Sequence, residues 1–269
     1  MPSEAEVYQR HADEYARLVA REDYQGNILR ALEEIAPLAG LDAVELGAGT
    51  GRLTGLMAPR VSSITACDAS RQMLAVASQN LRRSGRRNWR LAVADHRRLP
   101  LPDGCADLAI SGWSIAYLKV WGGQAWRAEI GKSLAEMQRI LRPGGRMIIL
   151  ETLGTGHEQP VRPRKLAAYY RFLEDQGFAW RWIRSDYRFA DLAEAQELAG
   201  FFFGEELQRQ VVEKNWVVLP ECTGIWFNPG EADGASGASG RTLVSLKIGY
   251  AREAKKHRIT CQLQSADRL

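Results

Sequence analysis

Tyr8, His11, Ala12, Tyr15, Leu18 and Val19 recur at three- and four-residue spacing, and Ser3-x-x-Glu6 ahead of them has the form of a capping box, so the first pattern in the chain predicts an amphipathic helix. A second helix is predicted over residues 25–36, stopped by Pro37 and Gly40. The pattern then changes to short apolar runs alternating with helical spacing. Residues 43–46 read as a buried strand, followed by the glycine-rich Gly47-Ala48-Gly49-Thr50-Gly51 and a helix over 52–58. Further strands are expected at 63–67, 90–94, 106–111 and 146–151. Met73, Leu74, Ala77 and Leu81 mark one intervening helix, and Trp126, Ile130, Leu134, Met137 and Leu141 a longer one that ends at Pro143-Gly144-Gly145. Such alternation predicts an α/β fold, a doubly wound and mostly parallel sheet with helices on both faces.

Beyond residue 151 the alternation breaks. A helix is predicted over 164–176, a strand over 180–189, a helix capped by Asp191-x-x-Glu194, and extended segments at 216–219 and 225–227 that suit a terminal antiparallel pair. No repeat of 20 to 50 residues is apparent. Residues 231–240 repeat Gly-Ala-Ser without a large apolar side chain and read as a flexible linker. The tail over 241–269 carries seven cations against two anions, and is expected to be a mobile basic extension of the domain in 1–230.

The 269 residues are 45% hydrophobic and 25% charged, which is ordinary globular composition and excludes wholesale disorder. The formal charge of +4 comes from the tail, leaving the other 240 residues near neutral, so nucleic acid is not expected as a partner. The longest apolar runs are far below the roughly 18 residues a membrane span needs. Without a signal-like N-terminus, the expected location is the cytoplasm. Cys67, Cys105, Cys222 and Cys261 are scattered, which argues against a zinc site or a disulfide framework, and no metal is expected.

The glycine-rich loop carries the candidate chemistry. A turn of this kind between a buried strand and a helix lets a ligand approach the backbone and meet free N–H donors. Its spacing is G-x-G-x-G, with Arg52 where the third glycine of a dinucleotide fingerprint would stand, and no Lys-Ser or Lys-Thr follows as a phosphate loop requires. Alone, the loop is also consistent with a plain strand-to-helix connection. Asp68, 17 residues after Gly51 at the end of the second strand, has the position of a carboxylate that accepts from a ribose diol. Asp95 follows the third strand. In a parallel sheet the strand ends share one edge, so Glu45, Gly49, Asp68, Asp95 and Ser111 should line one crevice and favour an adenosine-containing ligand.

The runs Val44-Glu45-Leu46-Gly47-Ala48-Gly49-Thr50-Gly51, Cys67-Asp68-Ala69-Ser70-Arg71-Gln72-Met73-Leu74, Ala94-Asp95-His96 with Leu99-Pro100-Leu101-Pro102, and Leu141-Arg142-Pro143-Gly144-Gly145 resemble the class I S-adenosylmethionine-dependent methyltransferases, within them the small-molecule branch with a type-11 domain that includes quinone-biosynthesis enzymes. The resemblance covers residues 8–228 and is strongest over 44–151. It implies a Rossmann-like seven-stranded sheet with one antiparallel strand, found among residues 216–227, under an N-terminal helical lid in 1–40. The cofactor half would be 41–151, and the acceptor side and sheet edge 152–230. It further implies that Gly47, Gly49 and Gly51 floor the cofactor site, that Glu45 faces the cofactor's amino-acid end, and that Asp68 holds the ribose. Ala69 and Met73 would pack near adenine, Asp95 and the His96 backbone would meet its polar edge, and Ser111 and Gly112 would lie near the transferable methyl group.

The implied activity is methyl transfer to an oxygen, nitrogen or carbon of a small-molecule acceptor, by a monomer or weak homodimer. RNA or protein methylation, or cofactor binding without catalysis, are the alternatives. A sulfonium suits an aromatic enclosure, for which Tyr15, Tyr24 and Trp113 are candidates beside the plain reading of helix packing. His157, Tyr117 and Glu151 are candidate bases, while His11 reads as a packed or lid residue. Aromatics and arginines interleaved over 164–203 are the expected acceptor side, or else the core of a helical insertion.

Overall fold

A computed structural model of the protein describes residues 11–229. Strands β1 (Asp42–Leu46), β2 (Ser63–Asp68), β3 (Trp89–Val93), β4 (Ala106–Gly112), β5 (Leu141–Thr155), β6 (Ala179–Arg184) and β9 (Glu221–Phe227) form a seven-stranded sheet in the order β3-β2-β1-β4-β5-β9-β6. The first five pair in parallel, and β9 inserts antiparallel to both β5 and β6. The chain winds outward from β1 to β3 and then returns to lay β4 on the other side of β1, so the winding reverses between β1 and β4. A crevice opens at the carboxyl ends of strands where a doubly wound sheet reverses in this way.

Helices α1 (Ala12–Val19), α2 (Asn27–Ile35), α3 (Arg52–Met57), α4 (Arg71–Arg83), α5 (Ala116–Trp121), α6 (Trp126–Ile140) and α7 (Ala167–Asp175) precede α8 (Leu192–Phe203) and α9 (Glu205–Glu213). Both faces of the sheet are buried, which is why its central strands read as continuous apolar runs. Val44, Leu46, Ala109 and Ile149 pack in one core, and Ala43, Leu108, Ile110 and Ile148 in the other. A third cluster joins Leu18 of α1 to Tyr187, Phe189, Leu198 and Val211, and holds the N-terminal segment against α8 and α9.

The sequence pattern located all seven sheet strands, and the antiparallel insertion is β9. Two helices lack a prediction, the six-residue α5 and α9, which directly follows α8 across Gly204. The strand expected over 180–189 is broken at Ser185-Asp186. Asp186 there accepts from the Glu221 backbone at 3.0 Å and pairs with Arg184, and Tyr187–Arg188 turns away as β7 to join β8 (Val218–Leu219) in a separate two-stranded sheet. Asp191 caps α8 as expected, accepting from Glu194 N at 2.8 Å, a contact worth about 1 kcal/mol. The Ser3 capping box, the linker, the tail and Cys261 lie outside the described residues. Cys67, Cys105 and Cys222 are free, and among the described residues no helix is long and apolar enough to cross a membrane.

Candidate active site

The loop after β1 turns over the end of β2. Gly47 N and Ala48 N both donate to Cys67 O, at 2.8 and 3.0 Å, and Gly49 N donates to Asp68 Oδ2 at 2.8 Å. Asp68 Oδ1 accepts from Ser70 N at 2.8 Å, which leaves the carboxylate with lone pairs for a further donor. Gly47 has φ +76° and no room for a side chain, since a Cβ there would stand 1.8 Å from Ser114 Oγ and 2.9 Å from His96 Nε2. The result is a cleft of about 250 Å³, floored by Gly47 to Thr50 and walled by Tyr15, Glu45, Asp68, Ala69, Asp95, His96, Gly112 to Ser114, Tyr117 and Leu118.

Three polar groups in this cleft are set by burial. Glu45 is almost fully buried, accepts from the Thr54 hydroxyl, and is pushed up to about 7 by loss of solvent, with the Asp68 charge adding to the effect. His96 is pushed down by burial and stands 3.1 Å from Ser114 Oγ. Arg52, the first residue of α3, pairs through Nη1 with Glu22 and lies with its guanidinium carbon 4.1 Å above the Trp113 ring. Its Nη2 is buried with no hydrogen-bond partner. Trp113 itself has φ +49°, an unusual conformation for a bulky residue, fixed by a 2.7 Å bond from its N–H to Leu150 O.

A second cleft of about 430 Å³ adjoins the first and shares Tyr15, Arg52, Trp113 and Tyr117 with it. Its walls are mostly apolar: Leu18, Val19, Ala116, Tyr187 and Phe201 to Phe203. Three carboxyls enter it, Glu22, Glu151 and Glu221. Glu151 Oε1 accepts from Tyr169 Oη at 3.0 Å and Ala116 N at 3.1 Å, and burial pushes the group up to about 8. Glu221 is likewise pushed up to about 8, by burial first and by the Glu22 charge second. Burial also pushes Tyr15 up to about 12, keeping its hydroxyl neutral.

The structure brings most of the expected residues to these walls and sets others apart. Tyr15, Glu45, Gly47, Gly49, Asp68, Ala69, Asp95, His96 and Gly112 line the first cleft, while Gly51, Met73 and Ser111 lie behind it. Gly51 has φ +81°, and a Cβ there would meet Ala77 Cβ at 3.1 Å, so it fits the loop against α4. Met73 is fully buried within α4. Asp95 is held by Arg97, whose Nε and backbone N both donate to Oδ1 at 2.8 Å, and this pairing lowers the carboxyl to about 2. The ring of His96, beyond the backbone expected there, faces the cleft.

Tyr24 lines neither cleft: it is exposed, with the Arg188 guanidinium 3.7 Å over its ring, and Glu22 is the residue of that turn that points inward. His157 is also exposed and outside both clefts, because β5 continues to Thr155 before the chain turns. Of the three candidate bases, Glu151 and Tyr117 reach the clefts, and Tyr117 stacks on Trp121 at 4.9 Å. In the aromatic region, Tyr187 and Phe201 to Phe203 line the second cleft, whereas Tyr169, Tyr170 and Phe178 are core and Trp180 and Trp182 are exposed at the sheet edge. Arg52, Ser114, Glu22 and Glu221 are the site residues without a sequence prediction. Arg52 alone carried a signal, as the residue in place of a third glycine.

Residues 44–149 match the family model described as a methyltransferase domain. The chain is 30% identical over 158 residues to the ubiquinone/menaquinone biosynthesis C-methyltransferase of Rubrivivax gelatinosus, an alignment covering 55% of this chain and 58% of that protein. It is also 30% identical over 152 residues to the malonyl-[acyl-carrier protein] O-methyltransferase of Pectobacterium atrosepticum, covering 56% and 53%. The chain thus spans about half the length of the curated relatives it matches. Among solved structures, geranyl diphosphate methyltransferase in complex with S-adenosylmethionine superimposes with a TM-score of 0.50 at 17% identity, covering 84% of this chain and 92% of that one. The [4+2]-cyclase SpnF gives the same TM-score at 18% identity, covering 76% and 81%, so fold alone does not assign a reaction.

The first cleft has donors and acceptors that suit S-adenosylmethionine. Asp68 would take the ribose hydroxyls on its remaining lone pairs. Glu45 would face the ammonium group, and the orphaned Arg52 Nη2 would be satisfied by the carboxylate. The cradle under Gly47 is one that any Cβ would fill.

Proposed function

We propose that the protein transfers the methyl group of S-adenosylmethionine to a small molecule held in the second cleft. The observation that carries this reading is the shared wall: Tyr15, Arg52, Trp113 and Tyr117 border both cavities, so a donor in the first and an acceptor in the second would meet across them. When bound, the cofactor supplies an electrophilic methyl group on a neutral leaving group. The chain's own work is then mostly positioning, which can lower a barrier by about 7 to 11 kcal/mol when alignment is good. Asp68 and the glycine loop fix the donor, and the rings of Tyr15 and Trp113 offer aromatic faces to positive charge. The phenylalanines of α8 exclude water from the acceptor side. Glu151, held by Tyr169 and Ala116 and raised to about 8 by burial, can receive a proton from an attacking oxygen or nitrogen only in its ionised form, so its contribution as a base grows as pH rises toward 8.

The test has two parts. Calorimetry should show binding of S-adenosylmethionine and of S-adenosylhomocysteine, and methyl-labelled donor incubated with a cell extract should yield label in low-molecular-weight material. Label in protease- or nuclease-sensitive material would redirect the reading to a macromolecular acceptor. Binding without any transfer would overturn it.

A further inference from the structure

Two buried carboxyls from neighbouring strands line the second cleft. Glu151 lies in β5 and Glu221 opens β9, where it registers with Thr155. Each residue is 2% exposed. Thr152 Oγ1 donates to Glu221 Oε1 at 2.8 Å and Thr155 also acts on the group, yet Oε2 is buried and makes no hydrogen bond of normal geometry. A buried acceptor left unpaired is costly, and in a cleft a ligand can bring the compensating donor.

We propose that Glu221, in a cleft that Glu151 also lines, selects acceptors that carry a protic O–H or N–H group on an aromatic or other apolar body, and disfavours carboxylate acceptors. The inference rests on the methyl-transfer reading and names its substrate class. The apolar walls suit the body of such a molecule, and Tyr187 with Phe201 to Phe203 supplies flat contact surface. Burial raises both carboxyls to about 8, which shows how poorly this cleft tolerates uncompensated negative charge. An anionic acceptor would meet the same loss of solvent. Of the two cations lining the cleft, Lys165 is exposed, and Arg52 is already paired with Glu22 and stacked on Trp113. A phenol or amine donates to the free oxygen and relieves the unpaired acceptor.

The experiment uses the full chain saturated with S-adenosylhomocysteine, after calorimetry has established that the nucleoside binds. Four probes of one shape are titrated by tryptophan quenching: 1-naphthol, 1-naphthylamine, 1-naphthoate and 1-methylnaphthalene. The two protic probes should bind about tenfold more tightly than the carboxylate, and the ratio between them tells a phenolic from an amine acceptor. Glu221→Gln should cut the preference over naphthoate at least about fivefold while methylnaphthalene binding stays unchanged, and Glu151→Gln should act in the same direction if the first variant fails to fold. Equal or tighter binding of naphthoate by the wild type, or an unaltered preference in a folded variant, would overturn the inference. Absence of S-adenosylhomocysteine binding would instead overturn the methyl-transfer reading, and the same probe ratios measured without the nucleoside would still judge the two carboxyls.

Discussion

The guanidinium of Arg52 lies 4.1 Å above the indole of Trp113, with one nitrogen paired to Glu22 and the other buried without a partner. The three residues come from three separate elements: the start of α3, the end of β4, and the turn after α1. Both clefts depend on this junction. Arg52→Met should weaken S-adenosylmethionine at least about tenfold in calorimetry, because it removes the donor for the carboxylate. It should also destabilise the fold by about 3–5 kcal/mol, since Glu22 is left buried without its cation. Adding Glu22→Gln should restore most of the stability and none of the affinity. Recovery of both together would show that Arg52 acts only through the fold.

Asp68 offers a cleaner separation of binding from folding. Its two oxygens accept from Gly49 N and Ser70 N, and both are backbone bonds that an asparagine can only half replace. Asp68→Ala should lower cofactor affinity at least about tenfold, while adenine, which lacks the ribose, should bind wild type and variant alike. Calorimetry with the two ligands checks this, and an equal loss for both would mean that the loop has collapsed and that no ribose contact was removed.

These two residues also mark where the sequence was legible. Asp68 and the loop over Gly47 to Gly51 are local: a strand, a tight turn and a helix follow one another, and the spacing alone places the carboxylate beside the glycines. The parallel sheet followed for the same reason, because each βα unit announces itself by its change of hydrophobic period. Glu221 gives no such signal. It reaches the cleft only because β9 runs back between β5 and β6, and its register with Thr155 is a property of pairing over more than 60 residues of separation. His157 misleads for the converse reason. Its position after the fifth strand suggests the crevice, yet β5 extends to Thr155 and carries the loop past the cleft mouth. Tyr24 and Glu22 share one turn, and which of them faces inward is decided by Arg52 and Arg188, neither of them near in sequence.

Gly47 tests the floor of the first cleft. A methyl group there meets Ser114 Oγ at 1.8 Å and requires φ +76° of a residue that resists it. Gly47→Ala should therefore destabilise by at least about 1–3 kcal/mol and abolish measurable cofactor binding. Pairing it with Ser114→Gly clears the side-chain clash and leaves the backbone strain, so the double variant should recover only part of the melting temperature. Full recovery would place the whole cost in the contact with Ser114.

Glu151 makes a prediction about pH whose sign is fixed by its environment. Burial raises the carboxyl from an ordinary 4.5 to about 8, so the folded protein holds a proton there that the unfolded chain releases. Stability from this group is complete below about pH 4.5 and is lost as pH rises through 8. Glu151→Gln removes the titration and keeps an acceptor for Tyr169 and Ala116. Relative to wild type, the variant should gain several degrees in melting temperature between pH 5 and pH 8, and any fixed cost of the substitution cancels in that difference. Glu22, Glu45 and Glu221 are raised in both proteins and drop out of the comparison to the extent that they do not couple to Glu151. Scanning calorimetry at the two pH values decides it: a flat difference, or one that falls with pH, would mean that Glu151 is ionised in the folded protein throughout and that burial does not hold a proton on it.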